Sequence, residues 1–185
     1  MLKNTKTLYG SVSQFFHWLV ALLIIGMLIF GYLMTGHSQV NIHKWIGLFI
    51  LTLATCRLIW TVSNIRPNLP GNNPKWDTIS ARVTQVLLYV CMFGMPLSGW
   101  AMATAFGKPP HLYGDSFPMP GIYMNEDIGS FYASIHNTTA IILASLVSLH
   151  VLGAFKHFII DKDNVLESML PAFASNILHK LFGRA

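Results

Sequence analysis

Four long apolar stretches separated by polar links organise the 185-residue chain. Residues 7–43 contain no Asp, Glu, Lys or Arg, the same holds for 83–107 and 128–155, and the stretch 45–65 is interrupted by Arg57 alone. A helix needs roughly 20 mostly apolar residues to cross a bilayer. The pattern therefore predicts four transmembrane helices, over about 12–34, 42–63, 78–104 and 128–160. The link Thr35–Asn41 joins the first two spans, and the Asn64–Asp77 link is dense in turn formers, including Pro67, Pro70, Gly71 and Pro74. Gly94, Pro96 and Gly99 fall inside the third span, where the missing N–H of proline predicts a kink. The segment of about Ala105–Asp127, with Pro109, Pro110, Pro118 and Pro120-Gly121, predicts an ordered, irregular cap. Beyond the fourth span, Val165–Phe182 is moderately apolar with a break at Pro171, which predicts a short interfacial helix. No internal repeat or low-complexity tract is present.

Composition sharpens this picture. The chain is 53% hydrophobic and 10% charged, against about 25% charged in a soluble domain. One transmembrane domain over 1–185 is the organisation this allows, an all-α bundle of four spans. The net charge of +5 sorts by side of the membrane. With the N-terminus inside, Lys3, Lys6, Arg57, Arg66, Lys75, Arg82, Lys156, Lys162, Lys180 and Arg184 fall on the inner side, and only Lys44 and Lys108 outside. That asymmetry places both termini in the cytoplasm and gives no patch for nucleic acid. Lys3 and Lys6 precede an apolar run, as in a signal peptide, but Phe15–Met34 is too long for an h-region and no A-x-A-like site follows. The first span is read as retained. Cys56 and Cys91 show no CxxC or CxxCH pattern and are read as packed residues.

The histidines carry the chemistry. Ionisable residues inside a membrane span are costly and mark function. His17 lies about one turn into the first span, His43 opens the second, and His136 and His150 share the fourth. At about 100° per residue, 14 residues leave His136 and His150 some 40° apart on one face and about 21 Å apart along the axis. Alternating topology then matches His43 with His136 in outer depth and His17 with His150 in inner depth. Two facing histidine pairs stacked in one bundle suit two six-coordinate haems. Arg57, 14 residues after His43, falls at inner depth on that face and is a candidate for a haem propionate or a quinone head group. Gly31, 14 residues after His17, leaves the first span almost without a side chain at outer depth. Four residues beyond the histidines stand Ala21, Gly47, Ala140 and Ala154, small residues that let a flat macrocycle approach each helix.

A single membrane histidine is more commonly a packing residue, but four at matched depths favour ligation. A shared zinc ion is excluded by the separation of the pairs. His37, His111 and His179 read as solvated loop or tail residues. His157, seven residues past His150, is an alternative ligand, although Asp161 at i+4 favours hydrogen bonding or proton delivery to a quinone.

These residues bring a family into view. Phe16-His17-Trp18, His43, Met95-Pro96-Leu97-Ser98-Gly99-Trp100, His136, His150, His157 and Asp161-Lys162-Asp163-Asn164 with Met169-Leu170-Pro171 resemble the bacterial cytochrome b561 family of di-haem inner-membrane proteins, over nearly the whole chain. The resemblance implies two haem b groups, held by His17 with His150 and by His43 with His136, in the bacterial inner membrane. It also implies ubiquinone as acceptor near His157, with Lys75 and Arg82 as further quinone candidates. A stand-alone member of this type oxidises superoxide at the outer face, which would make the chain an oxidoreductase of the superoxide:quinone type. The outer segments here, however, hold Lys44 and Lys108 against Asp115, Glu126 and Asp127, so the global field does not draw in an anion. Two alternatives stay open: a cytochrome b subunit linking a partner dehydrogenase to quinone, and a non-catalytic membrane anchor.

Overall fold

The computed structural model describes residues 1–67 and 75–182. Four long helices form its body: α1 (Ser11–Leu33), α2 (His37–Val62), α3 (Lys75–Ala105) and α4 (Glu126–Lys156). Each is long and apolar enough to span a bilayer, and helices satisfy their backbone polar groups internally, as a membrane interior demands. Serine and threonine within the spans are handled the same way. Thr52, Thr55, Ser134, Ser145 and Ser148 each donate their hydroxyl to the carbonyl four residues back.

The predicted spans agree with these helices to within a few residues, except at the start of α2. His37–Asn41, expected in a link, are helical. The Gln39 side-chain carbonyl accepts the N–H groups of Thr35 and Gly36, at 2.7 and 3.0 Å, and caps a helix that begins earlier. The third helix continues through Pro96.

The helices alternate in direction. One end of the bundle, the terminal end, carries residues 1–10, the described residues 63–67 after α2 and the segment 157–182. The other, the hairpin end, carries the α1–α2 turn and the 106–125 cap. There β1 (His111–Leu112) pairs antiparallel with β2 (Asp115–Ser116) through Tyr113 and Gly114, both at positive φ as a two-residue hairpin turn favours. The cap is anchored through its backbone. The carbonyl of His111 accepts from the Trp45 indole at 2.8 Å and from Asn41, and that of Phe117 accepts from the Trp100 indole at 2.8 Å.

The core is narrow. Val20, Ile24, Ile50, Ala54, Cys91, Met92 and Leu143 are buried together, whereas large apolar side chains such as Leu22, Ile29, Phe49, Val86, Ile141 and Leu152 point outward, as lipid solvation permits. Cys91 is packed as expected. Cys56 is not: it is exposed, because its position on α2 faces away from the core. Along the bundle α1 packs on α2, α2 on α3 and α3 on α4, but α4 makes no comparably close approach to α1 or α2.

Past α4 a π-helical turn, His157–Asp161, ends at Lys162 in the left-handed conformation. Two short helices replace the single one expected, α5 (Val165–Met169) and α6 (Ala172–Phe182), divided at Pro171. The first is tied to α1: the Trp18 indole donates to the Met169 carbonyl at 2.8 Å, and the Gln14 amide donates to the carbonyls of Ser168 and Leu170. One such bond contributes about 1 kcal/mol net. Trp18→Phe is accordingly expected to speed amide exchange over 165–170 about fivefold, with α1 itself unchanged. Equal exchange in both proteins would show that the indole does not hold this segment.

Candidate functional site

The histidines predicted from spacing meet in pairs. His17 on α1 faces His150 on α4 with ring centroids 6.1 Å apart, and His43 on α2 faces His136 on α4, also at 6.1 Å. The two pairs bridge the gap that α4 leaves toward α1 and α2. His17, His43 and His136 are half-buried and His150 is exposed.

Each ring of the pair nearer the hairpin end is backed by a glycine. A methyl group on Gly99 would lie 2.9 Å from Cε1 and 3.0 Å from Nδ1 of His136, and one on Gly31 would lie 3.1 Å from Cε1 of His43. The side-chain gap foreseen at Gly31 is thus filled by an imidazole. His136 is also oriented by hydrogen bonding. Its Nδ1–H donates to the Met95 carbonyl at 2.9 Å, with the Ser98 hydroxyl oxygen at 3.4 Å, which leaves Nε2 as the lone-pair nitrogen. This is the arrangement that metal-bound histidines use. The Nδ1 of His43, by contrast, is buried and has no hydrogen-bond partner among the described residues. A cleft runs beside this pair, lined by Ile24, Met27, Gly47, Met92, Met95 and Leu143 with both histidines. It is apolar nearly throughout, and Gly47, one of the small residues noted four positions beyond a histidine, forms part of its wall.

The other pair is flanked by Arg57. Arg57 reaches the predicted depth, its Nη2 donates to Nδ1 of His17 at 2.9 Å, and the guanidinium lies over the Tyr89 ring at 5.7 Å. Arginine has no acceptor, so His17 Nδ1 is the accepting nitrogen here. The arginine thus stands beside the His17 imidazole, at the depth expected for a propionate or quinone contact.

The remaining candidates gather at the terminal end only in part. His157 Nδ1 donates to Asp163 at 2.8 Å and lies 3.0 Å from Asp161, while the ring that faces His17 is that of His150. Lys156 bridges Asp77 and Asp161 at 2.9 and 2.7 Å. Asp77, His157 and Asp161 bring ligand atoms within 4.8 Å of one another, but the ammonium of Lys156 already balances two of those carboxylates. Arg82 is exposed on α3, and no hydrogen bond or ion pair among the described residues joins it to His157. The side chains of Lys75 and His179 lie outside the described residues. His37 and His111 are exposed, as expected of surface residues. Sequence reasoning did not single out Ser98 or the Met95 carbonyl as partners of His136. The one available signal was their place in the Met95–Trp100 run.

Fold and site define a multi-pass α-helical membrane protein whose bundle presents paired imidazoles across an apolar gap. A family model described as prokaryotic cytochrome b561 matches residues 8–172, and the chain belongs to that family of electron-transferring membrane cytochromes. It is 31% identical over 183 residues to "Cytochrome b561 homolog 2" of Escherichia coli strain K12, which covers 94% of this chain and 96% of that protein. "Cytochrome b561 homolog 1" of the same organism is 28% identical over 171 residues, 88% of this chain and 97% of its own length. "Probable superoxide oxidase CybB" of Yersinia pestis is 24% identical over 169 residues, 88% and 96% respectively.

Membership implies b-type haem, and the residues present fit it. A metal held between two imidazole nitrogens at about 2.0–2.1 Å, with roughly 1.1 Å from nitrogen to ring centre, separates the ring centres by about 6.3 Å. Both pairs lie at 6.1 Å, and the donor set is purely imidazole, as b-type ligation requires. The glycine behind His136 supplies a test. Overpacking of this kind costs about 1–3 kcal/mol, so Gly99→Ala is expected to lower the haem content of purified protein. Gly94→Ala, whose added methyl meets nothing within 4 Å, is expected to leave it unchanged. Equal haem content in the two variants would mean that Gly99 does not protect the ring position.

Proposed function

We propose that the chain is a transmembrane cytochrome with two b-type haems, one between His17 and His150 and one between His43 and His136, passing single electrons between a donor at the outer face and ubiquinone at the inner face. The observation that carries this reading is the equal 6.1 Å separation of both pairs on one helix, α4. When bound, the haems supply reversible one-electron chemistry. The protein's part is to fill both axial positions, which leaves no open site for oxygen binding, and to surround the path with apolar side chains.

The orientation follows from the basic residues. With the terminal end in the cytoplasm, ten of the twelve lysines and arginines lie on the inner side. His43 and His136 then form the outer pair and His17 and His150 the inner one. At the inner boundary His157 holds its Nδ1–H on Asp163, which turns Nε2 into an acceptor. Reduction of a quinone takes up two protons, and the carboxylates of Asp161 and Asp163 around this imidazole suit their delivery. Lys75 and Arg82 are further candidates for contact with the quinone. Arg57 is in reach of the inner pair, where rotation away from His17 Nδ1 would free both that nitrogen and the guanidinium to meet a propionate.

Superoxide is the favoured donor on the strength of the Yersinia pestis relative's name. Two superoxide ions would yield two molecules of oxygen, and their two electrons with two inner protons would convert one quinone to quinol. The local charge at the outer face is positive beside His43, since Lys44 follows it and donates to the Lys108 carbonyl at 2.6 Å. A cytochrome b subunit linking a partner dehydrogenase to the quinone pool is the second reading.

Addition of superoxide to purified protein and a ubiquinone analogue, with haem reduction and quinol followed optically, separates the two readings. The expected result is one quinol per two superoxide ions consumed. Haem that stays oxidised under superoxide would remove this donor and favour a partner dehydrogenase.

A further inference from the structure

A second feature of the chain lies outside the histidine site, in the groove between α1 and α2 at the terminal end. This open furrow of about 370 Å³ is floored by Phe16, Cys56 and Ile59, with Lys3 and Ser63 on its rim. Cys56 is exposed and Ile59 leaves 59% of its surface free. In a membrane such a floor meets acyl chains. Its rim, where the helices leave the apolar region, offers an ammonium and a hydroxyl.

Lys3 is brought to this rim by a dedicated set of hydrogen bonds. The Asn4 side-chain carbonyl accepts from the Gly10 backbone at 2.9 Å and from the Ser13 hydroxyl at 2.6 Å, while its amide donates to the Ile65 carbonyl at 3.0 Å. Ser13 Oγ in turn accepts from the Trp60 indole, another wall of the groove, at 2.9 Å. The Ser11 N–H donates to the Met1 carbonyl at 3.0 Å. The first residues fold back so closely that a methyl on Gly10 would lie 2.3 Å from the Leu2 carbonyl oxygen, which glycine alone avoids.

Charge then selects the occupant. No Asp or Glu occurs before Asp77, whereas Lys3, Lys6, Lys44, Arg57, Arg66 and Lys75 do. The ion pairs formed by Lys156 and His157 lie elsewhere, around the end of α4. Arg66 adjoins Ile65, whose carbonyl Asn4 holds, so a second cation belongs to the same corner. We propose that this groove binds an anionic diacyl phospholipid, its phosphate on Lys3 and the Ser63 hydroxyl and one acyl chain along Phe16, Cys56 and Ile59. Cationic pockets between transmembrane helices recognise anionic headgroups in this way. A zwitterionic lipid offers the ammonium no net charge, and an isoprenoid quinone offers it only a neutral carbonyl oxygen, so both gain less from Lys3 than an anionic lipid does.

Native mass spectrometry of the haem-loaded protein, offered equal phosphatidylglycerol and phosphatidylcholine of matched chains, tests the assignment. Phosphatidylglycerol is expected to be retained in preference. Lys3→Gln should reduce that preference about fivefold, the effect of one cation near an anionic lipid surface, while Lys180→Gln should leave it unchanged. Cys56→Trp, which fills the floor, should lower retention of both lipids, with the haem spectrum reporting that each variant is folded. Equal retention of the two lipids, an unchanged preference in Lys3→Gln or an equal loss in Lys180→Gln would overturn the proposal. So would displacement of phosphatidylglycerol by a quinone.

Discussion

The spacing of His136 and His150 along α4 is the constraint on which the rest of the bundle depends. Fourteen residues hold the two rings on nearly one face of the helix and about 21 Å apart, so whatever α4 presents to α1 it also presents to α2 at another depth. The partners must then come from helices kept at a distance from α4, and they do. Against α4 the close packing comes from α3, while α1 and α2 meet α4 through the imidazole pairs. A bundle packed tightly on all sides would be denser and would close the space that a macrocycle needs. The narrow core and the small residues along the cleft are consequences of holding that space open.

Orientation of the rings is a separate task, and the chain solves it differently at the two depths. Around His136 three neighbouring residues of α3 cooperate: the Met95 carbonyl takes the Nδ1 proton, the Ser98 oxygen stands beside it, and Gly99 removes the methyl that would strike the ring. His43 has a glycine at its back but no hydrogen-bond partner for Nδ1. His17 accepts from Arg57, the opposite polarity from His136. A metal-bound imidazole keeps a proton on its other nitrogen and donates it, so His136 already holds the tautomer that ligation uses, whereas His17 would need Arg57 to release Nδ1. The two pairs thus sit in unlike hydrogen-bonding surroundings.

Much of this was legible in the sequence, for physical reasons that differ by element. The four spans follow from charge exclusion over about 20 residues or more, a long-range signal that survives local uncertainty. The histidine pairing follows from helix geometry plus alternating topology, with no need for tertiary detail. What escaped depended on single side-chain rotamers or local caps. Nothing in the composition of the Thr35–Asn41 link shows that Gln39 folds back to start α2 early. Arg57 was placed at the right depth, but its hydrogen bond to His17 Nδ1 is a matter of which atoms lie within 3 Å. Cys56 and Cys91 look alike in sequence, and only the rotation of α2 and α3 puts one outside and the other in the core. Pro171 was rightly read as a break, but the hydrogen bonds from Gln14 and Trp18 that fix the helix before it join residues more than 150 positions apart.

The account stands on four histidines acting as two pairs, and a haem count on single variants tests that most directly. Pyridine haemochrome analysis of the unaltered protein should give two b-type haems per chain. His17→Ala and His150→Ala should each remove the same one of the two, and His43→Ala and His136→Ala the other, as identified by the part of the reduced spectrum that disappears. Fewer than two haems in the unaltered protein, or different losses within one pair, would contradict it.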